Sequence, residues 1–163
     1  MSDELLEEIV EEQEMLEAVN VEENATSFLV FKAGQDFYAI NSSDVREILR
    51  NNEVFPMPFV PPYIRGILNS YGIPYAVLDL SLFITNERQD SRLFLILKDQ
   101  NNLSIQVTDI QEFHSSSDVT IQTLMNQTDT PFFTGAISFD GVTAPILNIP
   151  GILEKIRNDL ESE

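Results

Sequence analysis

Few residues of this chain could carry acid–base or nucleophilic chemistry. Its single histidine, His114, stands directly before three serines, at positions 115–117, and shortly before Asp118. Histidine, serine and aspartate make a hydrolytic triad only when the fold brings them into hydrogen-bonding geometry, which adjacency in sequence does not supply. We therefore interpret His114 as an exposed loop histidine without a catalytic role.

Metal and cofactor chemistry also lacks its usual residues. The chain has no cysteine, which removes disulfides, cysteine-ligated zinc, iron–sulfur clusters and cysteine nucleophiles, and one histidine cannot build a His-based zinc site. The acids Asp79, Asp109 and Asp118 are scattered, without the spacing of a calcium loop or a catalytic carboxylate pair. The sequence has no glycine-rich phosphate loop. It therefore predicts no enzyme, no bound metal and no cofactor.

The composition and the negative net charge indicate which kinds of partner the chain is not expected to bind. The chain of 163 residues is 43% hydrophobic and carries a formal net charge of −18, which suits one globular unit or two very small ones. Binding to nucleic acid or to an anionic membrane needs Lys and Arg, so neither partner is expected. No apolar run is long enough to span a membrane, and the acidic N-terminus is unlike a secretory signal. We expect a cytoplasmic protein without direct membrane insertion.

The acids are concentrated in an N-terminal extension. Residues 1–26 hold ten of the 27 acidic residues and none of the nine basic ones. Leu5, Ile9, Leu16 and Val19 recur there at roughly helical spacing, although like charges four residues apart oppose an isolated helix. Two interpretations stay open: a solvated acidic extension, or a helix that docks its apolar stripe on its own domain or on a partner.

Strand patterns begin at Ser27 and fill the first half of the chain. A turn at residues 33–36 joins two apolar runs, and Tyr71-Gly72 is a second turn signal. Four prolines between residues 56 and 62 favour an extended connection. The predicted elements are a hairpin over 28–40, a short helix over 43–49, and strands over 63–70 and 73–80.

After a polar break at residues 85–92 the strand pattern repeats. Asp140-Gly141 is a strong hairpin signal, and Pro150 precedes apolar residues at helical spacing. The predicted elements are strands over 93–98 and 103–113, the second with a bend or bulge, a hairpin over 132–148 and a C-terminal helix over 150–163. Many short strands with few helices favour small barrels. We therefore predict a mainly β fold with two subdomains, over residues 28–84 and 93–149.

Three runs of residues share their order and spacing with a known family. The first is Phe28-Leu-Val-Phe with Phe37-Tyr-Ala-Ile and Val45-Arg-Glu-Ile. The second and most specific runs from Pro58-x-x-Pro-Pro-Tyr-Ile-Arg-Gly through Asn69 to Ile73-Pro-x-x-Val-Leu-Asp-Leu, and the third combines Phe133-Thr-Gly with Ile146-Leu-Asn-Ile. Together they resemble the chemotaxis coupling protein (CheW) family, over a domain expected to cover residues 27–157.

The resemblance implies a fold, a function and partners. Members of this family carry two five-stranded SH3-like β-barrels side by side, here with short helices and a C-terminal helix. They are non-catalytic adaptors that couple chemoreceptors, through their cytoplasmic tips, to the regulatory domain of the histidine kinase CheA. The resemblance thus implies a scaffold role in chemotaxis signal transduction.

The resemblance also implies interface residues. Mapped by motif, the kinase-facing residues are Val45, Glu47, Ile48, Gly66 and Tyr71. A hydrophobic groove between the barrels is expected to take the receptor's helical hairpin, because helix-in-groove binding uses exposed apolar walls. The candidate walls are Ile40, Val45, Ile105 and Val107.

The chain departs from the family pattern in three places, which predicts a divergent member. Ser70-Tyr71-Gly72 stands where the family commonly has Leu-Arg-Gly, Ser104-Ile-Gln-Val-Thr108 stands where it has Gly-x-x-Val-Asp, and the acidic extension is the third difference. Two alternatives stay open. One is a CheW-like adaptor of a chemosensory pathway with a non-swimming output, such as pili or gliding. The other is a small barrel that binds a small molecule or a peptide strand.

Overall fold

The computed structural model describes residues 26–98, 102–123 and 131–161, and its described residues form two β-sheets. The six-stranded sheet contains β1 (Ser27–Ala33), β2 (Asp36–Asn41), β8 (Asp109–Ser115), β9 (Thr120–Thr123), β10 (Phe133–Phe139) and β11 (Val142–Leu147). The five-stranded sheet contains β3 (Val45–Arg50), β4 (Ile64–Ser70), β5 (Ile73–Asp79), β6 (Leu93–Leu97) and β7 (Leu103–Val107). Two helices complete the described part, α1 (Leu80–Thr85) and α2 (Ile149–Glu161). The predicted mainly β fold with a C-terminal helix is confirmed.

Tight hairpins build much of both sheets. Ser70 pairs with Ile73 across one turn, and Phe139 pairs with Val142 across another. Both residues of each turn, Tyr71-Gly72 and Asp140-Gly141, have positive φ, the type I′ geometry that matches the twist of antiparallel strands. Both turns lie where the sequence predicts them.

The chain crosses between the sheets twice, so the polar break at residues 85–92 does not separate them. The first crossing follows β2, at the 3₁₀ turn Ser42–Asp44, and the second is at Thr108, between β7 and β8. The five-stranded sheet is therefore formed by the middle of the chain, and the six-stranded sheet joins its first hairpin to its last strands. This division differs from the predicted subdomains 28–84 and 93–149. The bend predicted within 103–113 coincides with the second crossing.

Neither sheet closes into a barrel by strand pairing within the described residues, which corrects the prediction of two five-stranded barrels. The strand orders are β8-β1-β2-β11-β10-β9 and β3-β6-β7-β5-β4, with β8, β9, β3 and β4 at the edges. In the five-stranded sheet the edges are joined by side chains instead of a ladder. Ser70 Oγ on β4 donates a hydrogen bond of 2.8 Å to Glu47 Oε1 on β3.

The helix predicted over 43–49 is wrong, and a β-bulge explains the error. Asn41 caps only the 3₁₀ turn, by accepting from the backbone N–H of Ser43, and β3 follows immediately. The pairing of β3 with β6 shifts register between Val45 and Glu47. A bulge adds one residue to a strand, so residues on either side of it that face the same way are three positions apart instead of two. Val45 and Ile48 accordingly both pack on the central core. The bulge thus imitates helical spacing.

Hydrophobic residues are buried on both faces of each sheet. The central cluster joins Leu29 and Phe31 of β1 to Leu95 of β6, Ile105 of β7 and Ile152 of α2. Each sheet also encloses its own smaller cluster: Phe28, Val30, Ala39, Ile137, Ala144 and Ile146 in one, and Leu68, Tyr75, Val77, Phe94 and Ile96 in the other. Burial on both faces explains why β1 and β6 read as nearly continuous apolar runs.

The helix α2 is held to the five-stranded sheet by a polar contact beside its apolar face. Tyr63 Oη, just before β4, donates a 2.6 Å hydrogen bond to Asp159 Oδ2, and Lys155 Nζ lies 2.8 Å from Asp159 Oδ1. Hydrogen bonds from Lys155 and Tyr63 lower the pKa of Asp159, and burial followed by the interaction with Asp159 raises the pKa of Tyr63. We call these three residues the helix clasp.

Two further findings concern the residues that the structure describes. Neither of their helices is long and apolar enough to cross a membrane. Nowhere in the described ranges do three or more His, Cys, Asp or Glu side chains form a group that could hold a metal ion. The apolar stripe predicted within residues 1–26 lies outside the described part of the chain.

Candidate protein-interaction surface

The predicted kinase-facing residues of β3 and of the β4–β5 turn lie close together, because a side-chain hydrogen bond joins β3 and β4, the two edge strands of the five-stranded sheet. Glu47 accepts the hydrogen bond from Ser70, and Tyr71 follows Ser70 directly. The neighbouring Arg46 Nη1 donates a 2.8 Å hydrogen bond to the hydroxyl of Tyr75, with the guanidinium carbon 5.8 Å from its ring centroid. The fold therefore brings Glu47 and Tyr71, 24 positions apart in sequence, to one region of the five-stranded sheet.

Tyr71 is presented to solvent by a constrained turn. Its side chain is 89% exposed and its φ is +52°, a left-handed conformation that is uncommon for a bulky residue. Among the described residues it makes no hydrogen bond and no ring contact. Its aromatic area is therefore not used in the packing of its own hairpin. An exposed aromatic side chain on a constrained backbone turn is a type that commonly anchors protein interfaces.

Gly66 is buried, and a glycine is needed at this position because the backbone of Phe55 lies too close for a side chain. A Cβ built on it would stand 2.1 Å from the backbone oxygen of Phe55, and its φ is +141°. Phe55 and Ile67 exchange backbone hydrogen bonds of 2.8 Å in both directions, which presses the segment after β3 against β4. Gly66 allows this close approach and offers no side chain to a partner.

Three of the four predicted groove walls are at odds with the structure. Ile40, Ile105 and Val107 are 0% exposed and belong to the central cluster. They cannot serve as the exposed walls of a groove, because their side chains already pack between the two sheets. Val45, which is half-buried, is the one member of the predicted set with accessible surface.

Most large exposed apolar side chains lie on the five-stranded sheet and the segment leading into β4. Phe55, Met57 and Phe59 are 49%, 40% and 90% exposed, and Ile73 is 37% exposed beside Tyr71. Phe55 lies directly opposite Ile67, so both side chains lie on one face of the sheet. We define the hairpin surface as Phe55, Ile67, Tyr71 and Ile73.

The sequence reading missed Phe55 as a surface residue. Its signal is the alternation of Phe55, Met57 and Phe59 with Pro56 and Pro58, since prolines favour extended backbone and limit further strand pairing. On the six-stranded sheet the exposed apolar side chains among the described residues are Phe113 and Ile121, at 60% and 44%.

His114 lies on β8 and not in an exposed loop, since its side chain is only 14% exposed. Its ring stacks at 4.1 Å, centroid to centroid, on Phe139, and its Nε2 lies 2.9 Å from Glu112 Oε1. The hydroxyl of Ser115 lies 3.0 Å from that of Ser117, in the cap of the 3₁₀ turn Ser116–Asp118. These contacts are those of a packed edge strand and its cap.

Comparisons with known proteins agree with this architecture. The family described as "CheW-like domain" matches residues 27–157. The chain is similar in structure to the scaffolding protein TtCheW from Thermoanaerobacter tengcongensis, with a TM-score of 0.66 and 22% identity, covering 76% of this chain and 89% of that chain. No curated protein matches the chain in sequence. Because the family match spans most of the chain, including both sheets and the hairpin surface, the chain belongs to the CheW-like domain family of chemotaxis scaffold and adaptor domains.

Proposed function

We propose that the chain is a non-catalytic, cytoplasmic chemotaxis adaptor that couples chemoreceptor tips to the regulatory domain of the histidine kinase CheA. The observation that carries this proposal is the family match over residues 27–157. An exposed apolar surface on a rigid β scaffold supports it, because modest protein interfaces combine an apolar centre with a polar rim.

The hairpin surface is the proposed kinase-facing side. Tyr71 supplies the central aromatic contact, and Ile73, across the same turn, adds apolar area. Phe55 adds apolar area opposite Ile67, about 13 Å from Tyr71 along β4. Glu47 belongs to the polar rim, held by its hydrogen bond from Ser70. Val45 and Ile48 lie on the same strand as Glu47 but half-buried, so they shape the interface more than they extend it. Gly66 contributes through the backbone alone.

The receptor-facing side is proposed to include the accessible part of Val45, at the start of β3 where the chain crosses between the sheets. Ile40, Ile105 and Val107 form the rigid floor beneath the surface and are not themselves proposed as contacts. With two interfaces that adjoin at Val45, each interface can be weak. Two linked contacts raise the effective concentration of one partner at the other, so a bivalent adaptor needs no single tight contact.

The proposal is tested at Tyr71 by measuring binding to a CheA regulatory domain with isothermal titration calorimetry. Tyr71→Ala removes the exposed ring without leaving a cavity. We expect it to weaken binding by about 2 kcal/mol, roughly 30-fold in Kd. Phe113→Ala is the matched control, since Phe113 is an exposed aromatic residue of the other sheet. Equal affinities for wild type and Tyr71→Ala would refute the assignment of this surface.

The departure from the family motif gives a second substitution at the same position. Arginine offers a charged fork for a partner carboxylate, whereas tyrosine offers area and one hydroxyl. We expect Tyr71→Arg to bind a generic CheA regulatory domain more tightly than wild type does. Unchanged or weaker binding in the same calorimetric assay would contradict this explanation of the difference.

A further inference from the structure

A groove lies where the chain passes from the six-stranded to the five-stranded sheet. It has two adjoining parts, of about 360 and 230 Å³, which share Asp44, Ile149 and Pro150. The larger part lies between β9, the start of β10 and the end of β11, and the smaller part lies between the end of β6 and α2. The groove shares no residue with the hairpin surface, so it is a separate feature of the fold.

The lining of the groove is largely apolar and nearly free of charge. Ile121, which is 44% exposed, and the half-buried Leu153 give it accessible apolar walls. Its floor is formed by three residues that are each 6–8% exposed: Phe28, Ile146 and Ile149. Among the described residues that line the groove, only Asp44 and Lys98 are charged, one of each sign. Covering such walls with other apolar side chains is favourable.

The described part of the chain begins in this lining. Thr26, its first residue, is exposed and lines the larger part of the groove. The backbone oxygen of Thr26 accepts a 2.8 Å hydrogen bond from the N–H of Ser116, and Ser27 pairs with Ser115. Residues 1–25 are therefore tethered at the rim of the groove. A short tether holds a segment at an effective concentration of about 1 mM near its attachment point, so a weak contact is enough to keep it there.

Residues 1–25 contain an apolar stripe that suits the groove. Leu5, Ile9, Leu16 and Val19 recur at the spacing of one helix face. Val19 is seven residues before Thr26, a span of at most about 25 Å, so the stripe is within reach of the groove. Like charges four residues apart oppose this helix in isolation. Burial of its apolar face against the domain is the usual source of stability for such a helix.

Charge does not drive this contact. Residues 1–26 hold ten acids and no base, and the remaining 17 acids of the chain still outnumber its nine bases. The segment and the rest of the chain therefore repel each other at long range. Only apolar burial in a nearly neutral lining can hold the segment, and salt that screens the repulsion should not release it.

We propose that residues 1–25 dock their apolar stripe in this groove of their own chain. Ile121 and Leu153 are the contacting walls, and the acidic side chains of the segment face water. The docked segment thus covers the groove between the two sheets and α2. The inference does not depend on the adaptor role, because it concerns two parts of the same chain.

The test is paramagnetic relaxation enhancement in NMR spectra of the full chain labelled with ¹⁵N. The sequence contains no cysteine, so Glu14→Cys gives a single attachment site for a nitroxide, on the side of the predicted helix away from the stripe. We expect broadening of the amide signals of Thr123, Gly135 and Ile149, at the groove. Gly141, at the far end of β10, is the internal control and should keep a sharp signal. Equal broadening at both places, or none at the groove, overturns the proposal.

Two double variants decide whether the stripe makes the contact. Ile9→Glu with Leu16→Glu places two charges on the stripe and should abolish the broadening at the groove. Ala18→Glu with Val21→Glu adds the same charge away from the stripe and should retain the broadening. Equal behaviour of the two variants overturns the role of the stripe.

A substitution in the groove tests the same contact from the other side. Ile121→Glu places a charge in the wall at an exposed position and should reduce the broadening. Thr120→Glu, at the neighbouring exposed position outside the lining, is the control and should leave it unchanged. Equal broadening in both variants would exclude Ile121 as a contact and overturn the placement in this groove.

A mixed sample distinguishes the chain's own segment from that of a second copy. Chain labelled with ¹⁵N but without nitroxide is mixed with nitroxide-labelled chain of natural isotope content, and we expect no broadening. Broadening in this sample would assign the groove to a second copy and overturn the proposal. In about 1 M salt, where the Debye length is about 3 Å, the broadening within one chain should persist. Its loss would reveal a charge-driven contact and also overturn the proposal.

Discussion

Gly66 illustrates how a residue of a binding motif can be required by packing alone. From the sequence it is a candidate contact, because it lies in the most specific run of the family resemblance. In the structure it is buried beneath the backbone of Phe55, where a side chain has no room. The distinction depends on a partner strand segment that is eleven residues away in sequence, which the glycine's own neighbourhood does not reveal.

We expect Gly66→Ala to destabilise the fold by about 2 kcal/mol or more, since it combines a positive φ with a clash against backbone that cannot rotate away. Chemical denaturation measures the loss in free energy of unfolding. Gly141→Ala is the matched control: its φ is +78°, but no atom lies within 4 Å of the added Cβ. It should cost only about 1 kcal/mol. Equal losses in the two variants would contradict the clash.

Tyr71 marks what could and could not be predicted at the residue scale. The turn follows from local chemistry, because Gly72 suits a left-handed position beside it. The exposure of the ring depends on which strands surround the hairpin, and that information is not local. The same limit explains Ile40, Ile105 and Val107. Their apolar character was read correctly, but burial between two sheets and exposure in a groove have the same sequence signature.

At the scale of elements, hairpins were predictable and the crossings between sheets were not. Alternation with Asp-Gly, Tyr-Gly or Gly-Gln turns predicts these hairpins from adjacent residues. The strand β3 was mistaken for a helix because the bulge after Val45 shifts its inward-facing residues to a spacing of three. Bulges depend on the partner strand, here β6, more than 40 residues later in the sequence.

The helix clasp predicts how the attachment of α2 responds to substitution. Tyr63→Phe keeps the ring contact with Phe83, which packs edge-on at 4.9 Å between centroids, but removes the hydroxyl that donates to Asp159. We expect a loss of about 1 kcal/mol in the free energy of unfolding, the usual net contribution of one hydrogen bond. No measurable loss in denaturant unfolding would show that water replaces the hydroxyl at no cost.

The clasp also predicts a pH dependence with a definite sign. The pKa of Asp159 is lowered, first by the hydrogen bond from Lys155 and then by that from Tyr63. A carboxyl with a depressed folded-state pKa stabilises the fold above its unfolded-state pKa, near 4, and this contribution is lost as the pH falls through the folded value. Between about pH 7 and pH 3, wild type should therefore lose more thermal stability than Asp159→Asn does. Equal losses would contradict this role of Asp159.

At the scale of the whole molecule, the two sheets form one body through a shared core. The chain enters the five-stranded sheet after β2 and returns at Thr108, so neither sheet is a contiguous piece of sequence. Sequence patterns predicted many short strands and a mainly β fold. They did not predict which strands share a sheet, because the sequence of an apolar strand buried on both faces does not indicate which strand it pairs with.

Net charge gives a prediction about self-association. Residues 1–26 hold ten acids and no base, so their removal takes away much of the repulsion between copies. We expect the truncated chain to self-associate more readily than the full chain at low salt. The difference should shrink as added salt shortens the Debye length to about 3 Å near 1 M. Sedimentation velocity measures this, and identical behaviour of both chains at low salt would exclude repulsion by the acidic segment.

The central claim is that one rigid body bridges two partners. Surface plasmon resonance tests it directly, with a chemoreceptor tip fragment immobilised and a CheA regulatory domain injected with or without the chain. We predict that the kinase domain is retained only when the chain is present, and that Phe113→Ala preserves this recruitment while Tyr71→Ala strongly reduces it. Displacement of the chain from the receptor fragment by the kinase domain would contradict the account.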